Sequence, residues 1–171
     1  MARQAWALMK TAVFTVVVPG TVAVYVPNAL TRGANWTEPT GWVGYTGAVL
    51  LLCGIALYLR CAWDFAVRGL GTPAPIDPPR TLVVRGPYRM TRNPMYVAVL
   101  AVLIGEALIA RSTALAAYAA IVFVGFFLFV LLYEEPVLRS KFGASYDDYR
   151  AAVPRWIGWP SARQSEYTPR P

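Results

Sequence analysis

The chain has 171 residues, 57% of them apolar, with a mean hydropathy of +0.44 and only 15% charged residues. That excludes a disordered segment and an ordinary water-soluble domain, where roughly 25% of residues are charged. The net charge of +7 could suit nucleic acid, but the apolar excess assigns it to a membrane surface, so no nucleic-acid partner is expected. Histidine is absent, which removes a Ser-His-Asp triad and any zinc site built on imidazole. Cys53 and Cys61 are too few for a four-cysteine zinc site and read as small apolar packing residues, so no metal is expected.

Crossing a bilayer takes about 20 apolar residues. The first candidate span covers residues 6–27, with Lys10 able to snorkel and Pro19-Gly20 placed to kink it. Without a small-residue cleavage site it reads as a span rather than a removable leader. A second span covers residues 41–59, a short third one 94–110, and a fourth 112–133. Alternate sides of these spans carry 14 and 2 basic residues, the two being Arg32 and Arg111. The positive-inside rule then puts both termini and the long central loop in the cytoplasm, at the cell membrane. The expected fold is all-α: a multi-pass membrane helical bundle of four transmembrane helices, with an ordered cytoplasmic loop and a C-terminal amphipathic segment. Within one membrane domain, residues 1–60 form two supporting helices, 61–93 the loop, 94–133 a transmembrane hairpin and 134–171 the tail.

The link around Arg111 is so short that spans three and four must be antiparallel neighbours. The start of span three and the end of span four therefore meet at the cytoplasmic face. The loop before them carries Pro73, Pro75, Pro78, Pro79 and Pro87, which forbids a long helix, and a strand-like run, TLVV. Its Gly69-Leu70-Gly71 is a lone G-x-G and no dinucleotide fingerprint. Asn93-Pro94 suits a helix start, Asn as cap and Pro at the first position, and such an end binds anions. Glu134-Glu135 close span four, where the helix dipole and the membrane boundary both disfavour carboxylates, so Arg89, Arg92 or a bound cation should face them. Glu106, near the outer end of span three, is expected to snorkel to that interface. The tail mixes charges with Phe142, Tyr146, Tyr149 and Trp156, as an interfacial segment does, and turns polar from Ser161.

Three segments in order carry a resemblance: GPYRMTRNPMY, an apolar hairpin, and EEPVLRSKFGASYDDYRAAVPR. Over residues 71–156 the chain resembles the isoprenylcysteine carboxyl methyltransferase-like family of integral membrane methyltransferases, to which phospholipid N-methyltransferases are related. The resemblance implies S-adenosylmethionine as cofactor at the cytoplasmic mouth of the hairpin. It assigns cofactor contacts to Arg80, Thr81, Leu82, Val83, Tyr88, Asn93, Pro94, Met95, Tyr96 and Glu134, with Glu135 beside it. Pro73 falls where some members have a contacting glutamine, and Asn93 stands where the family usually has histidine. Prenylcysteine-methylating members place an arginine four residues before the acid; here Val130 occupies that substrate position, which argues against prenylated cysteine. Arg89, Arg92 or Arg155 are the candidates to hold an acceptor's charge instead.

These assignments combine into a mechanism without a covalent nucleophile. Glu134 receives the cofactor's ammonium, and the first N–H groups of span three, at Met95 and Tyr96, receive its carboxylate. Tyr88 and TLVV enclose the adenosine. A lipophilic small-molecule or lipid acceptor enters from the bilayer. Arg92, Arg155 and Tyr96 are the candidate catalytic residues, and Tyr88 and Tyr96 the only candidate proton relays. Carboxylate O-methylation is the favoured reaction. The alternatives are N- or S-methylation of a phospholipid or small amphiphile, and a non-catalytic membrane scaffold.

Overall fold

The apolar runs are helical, as backbone groups inside a hydrocarbon layer require. The computed structural model describes residues 2–31, 39–64, 82 and 84–158. Its helices are α1 (Ala2–Gly20), α2 (Val26–Leu30), α3 (Gly41–Asp64), α4 (Pro94–Ile109), α5 (Thr113–Phe129), α6 (Glu135–Phe142) and α7 (Ala144–Ala152), and no strand occurs among the described residues. Three runs are long and apolar enough to cross a membrane, 12–30, 41–64 and 113–142, while α4 is shorter. Large apolar side chains cover the outside of the bundle, among them Val16, Leu52, Ile121 and Leu132. Outward-facing side chains of that kind belong to a protein whose solvent is lipid.

The tightest seam lies between α3 and α4. A Cβ on Gly47 would sit 2.8 Å from the Gly105 carbonyl, and one on Gly105 would sit 2.7 Å from that of Gly47. One on Gly54 would meet the Ala98 carbonyl at 2.8 Å. Small residues let these backbones touch, which is how helices associate where lipid gives no hydrophobic drive. Behind the seam, Tyr58, Ala98, Val99, Leu103 and Ala119 form the core of the bundle. The α4–α5 turn is as short as expected: Ser112 caps α5 through the Leu115 N–H, and Arg111 reaches across to the Thr40 carbonyl at 3.1 Å.

Two features depart from the sequence reading. Glu134-Glu135 do not end a helix, because α5 runs through a π-turn (Val130–Glu134) straight into α6. The same device follows Pro19-Gly20, where a π-turn (Thr21–Tyr25) joins α1 to α2. Both π-turns stop one residue short of a proline, Pro27 and Pro136. A proline ring clashes with the carbonyl four residues back, and the wider turn relieves that clash. The second departure is the tail, which folds back over the hairpin mouth. Tyr146, Tyr149, Ala152 and Val153 bury Val84 between them, with Leu82, Leu138 and Phe142 at the edge. Leu82 and Val84 thus serve this cluster and form no strand.

Candidate functional site

At the hairpin mouth a cavity of about 660 Å³ opens between α1, α4 and α5. Its mouth end is lined by Tyr88, Arg92, Asn93, Pro94, Met95, Tyr96 and Glu134. Farther in, the walls are Phe14, Val18 and Val22 from the first helix against Val122, Gly125 and Phe126 from α5. The lining is therefore polar at one end and apolar along the rest.

The two glutamates part company here. Glu134 lines the cavity and accepts a hydrogen bond from the Tyr96 hydroxyl at 2.8 Å. Glu135 turns away from it into an arginine cluster. Arg155 grips it with two hydrogen bonds of 2.8 and 2.9 Å, Arg92 adds one of 2.8 Å, and Arg150 stands at 3.9 Å. Glu135 and Arg92 are nearly buried, with side chains 8% and 9% exposed. Donating these hydrogen bonds to Glu135 raises the pKa of the Arg155 guanidinium above its ordinary value.

A second set of bonds ties the tail to the start of α4. The Arg92 N–H donates to the Pro154 carbonyl at 2.9 Å. The Thr91 hydroxyl and the Asn93 amide both donate to the Arg155 carbonyl, at 3.0 and 2.9 Å. The Tyr149 hydroxyl donates to the Tyr88 carbonyl at 2.7 Å. Asn93 was expected to cap α4 but does not, since its side chain makes no cap hydrogen bond. Burial pushes the Tyr88 hydroxyl well above its ordinary range, and Tyr146 rises for the same first reason.

Of the remaining expected residues, Arg89 is exposed and Val130 is buried, and neither lines the cavity. Arg155 and Glu135 are also outside its lining. Pro73, Arg80, Thr81 and Val83 lie outside the described residues, as does the polar end from Ser161. Glu106, near the end of α4, is half-buried, and one of its carboxylate oxygens is buried without a hydrogen-bond partner among the described residues. Among the described residues no group of three His, Cys, Asp or Glu side chains could hold a metal.

Sequence reasoning missed Phe14, Val18, Val22 and Tyr58, because nothing in the order of residues says that the first helix faces α5. It also missed Thr91, while Trp156, expected in an interfacial tail, lies with its ring 5.5 Å from that of Phe123.

A family model described as phospholipid methyltransferase matches residues 42–145, from α3 through the hairpin and into α7. The chain belongs to that family. The match spans the α3–α4 seam, Tyr88, Asn93, Tyr96 and both glutamates. The phospholipid methyltransferase family is one of membrane methyltransferases and is related to the isoprenylcysteine carboxyl methyltransferases that the motifs resemble. No curated protein matches the chain, and no solved structure does.

Proposed function

We propose that the protein transfers a methyl group from S-adenosylmethionine to a lipophilic acceptor within the membrane. The observation that carries this reading is the head of the cavity, where a carboxylate and a set of free donors face one space. Glu134 supplies the negative side. The positive side is α4, whose N–H groups at Met95 and Tyr96 lack an intrahelical partner and receive no cap from Asn93. Arg92 lines the same cavity, its Nη1 bonded to Glu135 at 2.8 Å. An amino-acid zwitterion, the end of the methyl donor, fits that pair of charges.

S-adenosylmethionine would supply the electrophile, a methyl on a sulfonium. Glu134 would hold the ammonium, and the α4 N–H groups with Arg92 the carboxylate. Tyr88, buried and protonated, closes the wall beside them. The apolar walls from α1 and α5 exclude water and align the acceptor, which is how such a site lowers a barrier without a covalent step. Basic residues crowd the mouth end, while Arg111 lies at the opposite turn, so we read the mouth as cytoplasmic and the membrane as the cell membrane.

Two acceptor groups have an observation behind them. Arg92 lines the cavity, which suits a carboxylate. Both Arg92 and Arg155 are already held by Glu135, which, with the family match, suits the amine of a phospholipid. An amine must lose a proton, and Tyr96 on Glu134 is the nearest relay; a carboxylate needs none. Titration of purified protein with S-adenosylmethionine by calorimetry tests the donor site, and absence of saturable heat from folded protein retires the enzyme reading. Incubation with labelled donor and a total lipid extract then separates the acceptors. A base-labile product is a methyl ester, and a base-stable one is methylated on nitrogen or sulfur.

A further inference from the structure

The glycines of the α3–α4 seam are small because a backbone presses on each. A Cβ on Gly47, Gly54 or Gly105 would lie 2.8, 2.8 or 2.7 Å from a carbonyl oxygen. Gly125, inside α5, has no such neighbour: a Cβ there meets nothing within 4 Å. Its backbone is ordinary right-handed helix, which any residue adopts. Glycine is the costliest residue of a helix interior after proline, so neither packing nor conformation accounts for it there. What its missing side chain leaves is room in the cavity, whose wall Gly125 forms.

That wall has a side opening. The first helix and its π-turn contribute Phe14, Val18 and Val22 at steps of about one turn, and α5 contributes Phe129, Gly125 and Val122. The middle residue of each set is exposed, Val18 at 43%, while the outer two of each set are half-buried. Beyond the opening the two helices are pinned, as the Tyr118 hydroxyl donates to the Val22 carbonyl at 3.0 Å. The opening lies within the apolar spans, so it faces lipid. It joins a polar head at Glu134 to apolar walls at Gly125, roughly 13 Å away along the helix. The occupant that complements both is one amphiphile, its head group at Glu134 and its hydrocarbon chain leaving past Gly125.

We infer that Gly125 is a specificity-determining residue: its bare backbone keeps open the passage between the first helix and α5 that takes the hydrocarbon chain of a membrane lipid. The inference rests on the lipophilic acceptor proposed above and names its class, a chain-bearing lipid that stays partly in the bilayer while its head group reacts.

The test uses full-length protein in phosphatidylcholine bilayers doped with a phosphatidylethanolamine that carries a photoactivatable diazirine in one acyl chain. Cross-links are mapped by peptide mass analysis. In the unaltered protein the half-buried Val22 and Val122 should be labelled at least as strongly as Leu52, which faces bulk lipid on α3. G125L, which fills the passage, should lose about tenfold or more of the label at Val22 and Val122. Label at Leu52 should not change. V18F closes the passage from the other wall and should act alike, which covers a failure of G125L to fold. Calorimetry with S-adenosylhomocysteine should give G125L an affinity within about twofold of the unaltered protein, because the donor's contacts lie elsewhere. Label at Val22 and Val122 that survives in folded G125L and V18F overturns the inference. So does an equal loss of S-adenosylhomocysteine binding, which gives that space to the donor. Chain labelling that G125L abolishes, in a protein that binds no S-adenosylhomocysteine, upholds the passage and retires the methyl-transfer reading instead.

Discussion

Neighbouring residues on a helix point about 100° apart, so Glu134 and Glu135 reach different partners despite their identical chemistry. Glu134 meets a neutral tyrosine hydroxyl at the cavity, and Glu135, which does not line it, meets three arginines. Their substitutions should therefore separate. Glu134→Gln should weaken S-adenosylmethionine binding by about 1.5–3 kcal/mol, the worth of a charged hydrogen bond, with little change in thermal stability. Glu135→Gln should do the reverse at first order. It leaves Arg92 and Arg155 without their counter-charge and should destabilise the fold by about 3 kcal/mol, read by chemical denaturation in detergent. Equal effects of the two substitutions on both measurements would contradict this division.

Helices here are placed by their smallest side chains and by their prolines. The α3–α4 seam works because Gly47, Gly54 and Gly105 bring backbone against backbone, and a Cβ at Gly105 has only 2.7 Å to the Gly47 carbonyl. Gly105→Ala should part the helices and cost about 1–3 kcal/mol, measured as a fall in thermal midpoint. Gly125 makes the natural control. A Cβ there meets nothing within 4 Å, so Gly125→Ala should leave stability unchanged or slightly higher. The π-turn before Pro136 is the other device at this scale. It lets one continuous helix carry the apolar α5 and the polar α6, and sets the direction in which the glutamates leave it. The motif spelled out the hairpin, its short turn and the residues at its mouth. It gave no warning of the π-turn, since a glutamate pair before a proline reads equally well as a helix end.

At the scale of the whole molecule, the tail closes one end of the bundle. Tyr146 and Tyr149 of the tail are buried, as is Tyr88 beneath them, and burial holds the Tyr88 and Tyr146 hydroxyls above the ordinary value of about 10. In the unfolded chain these protons leave first as pH rises. The stability they contribute is complete below about pH 10 and declines above it. Thermal scans between about pH 8 and pH 11 should show a falling midpoint that begins near the upper limit. A flat profile would mean that neither hydroxyl is buried in the folded protein.

Composition and periodicity alone determined that this chain is an all-helical membrane protein, because hydrocarbon admits few other ways to satisfy a backbone. The order of three short segments gave its family. Only the tertiary structure decided that the first helix walls a cavity with α5, that Glu134 and Glu135 divide, and that the tail takes the Asn93 side chain from α4. Those are matters of which surfaces meet. Membrane helices choose partners through close packing and hydrogen bonds between residues distant in sequence, and no local pattern records that choice.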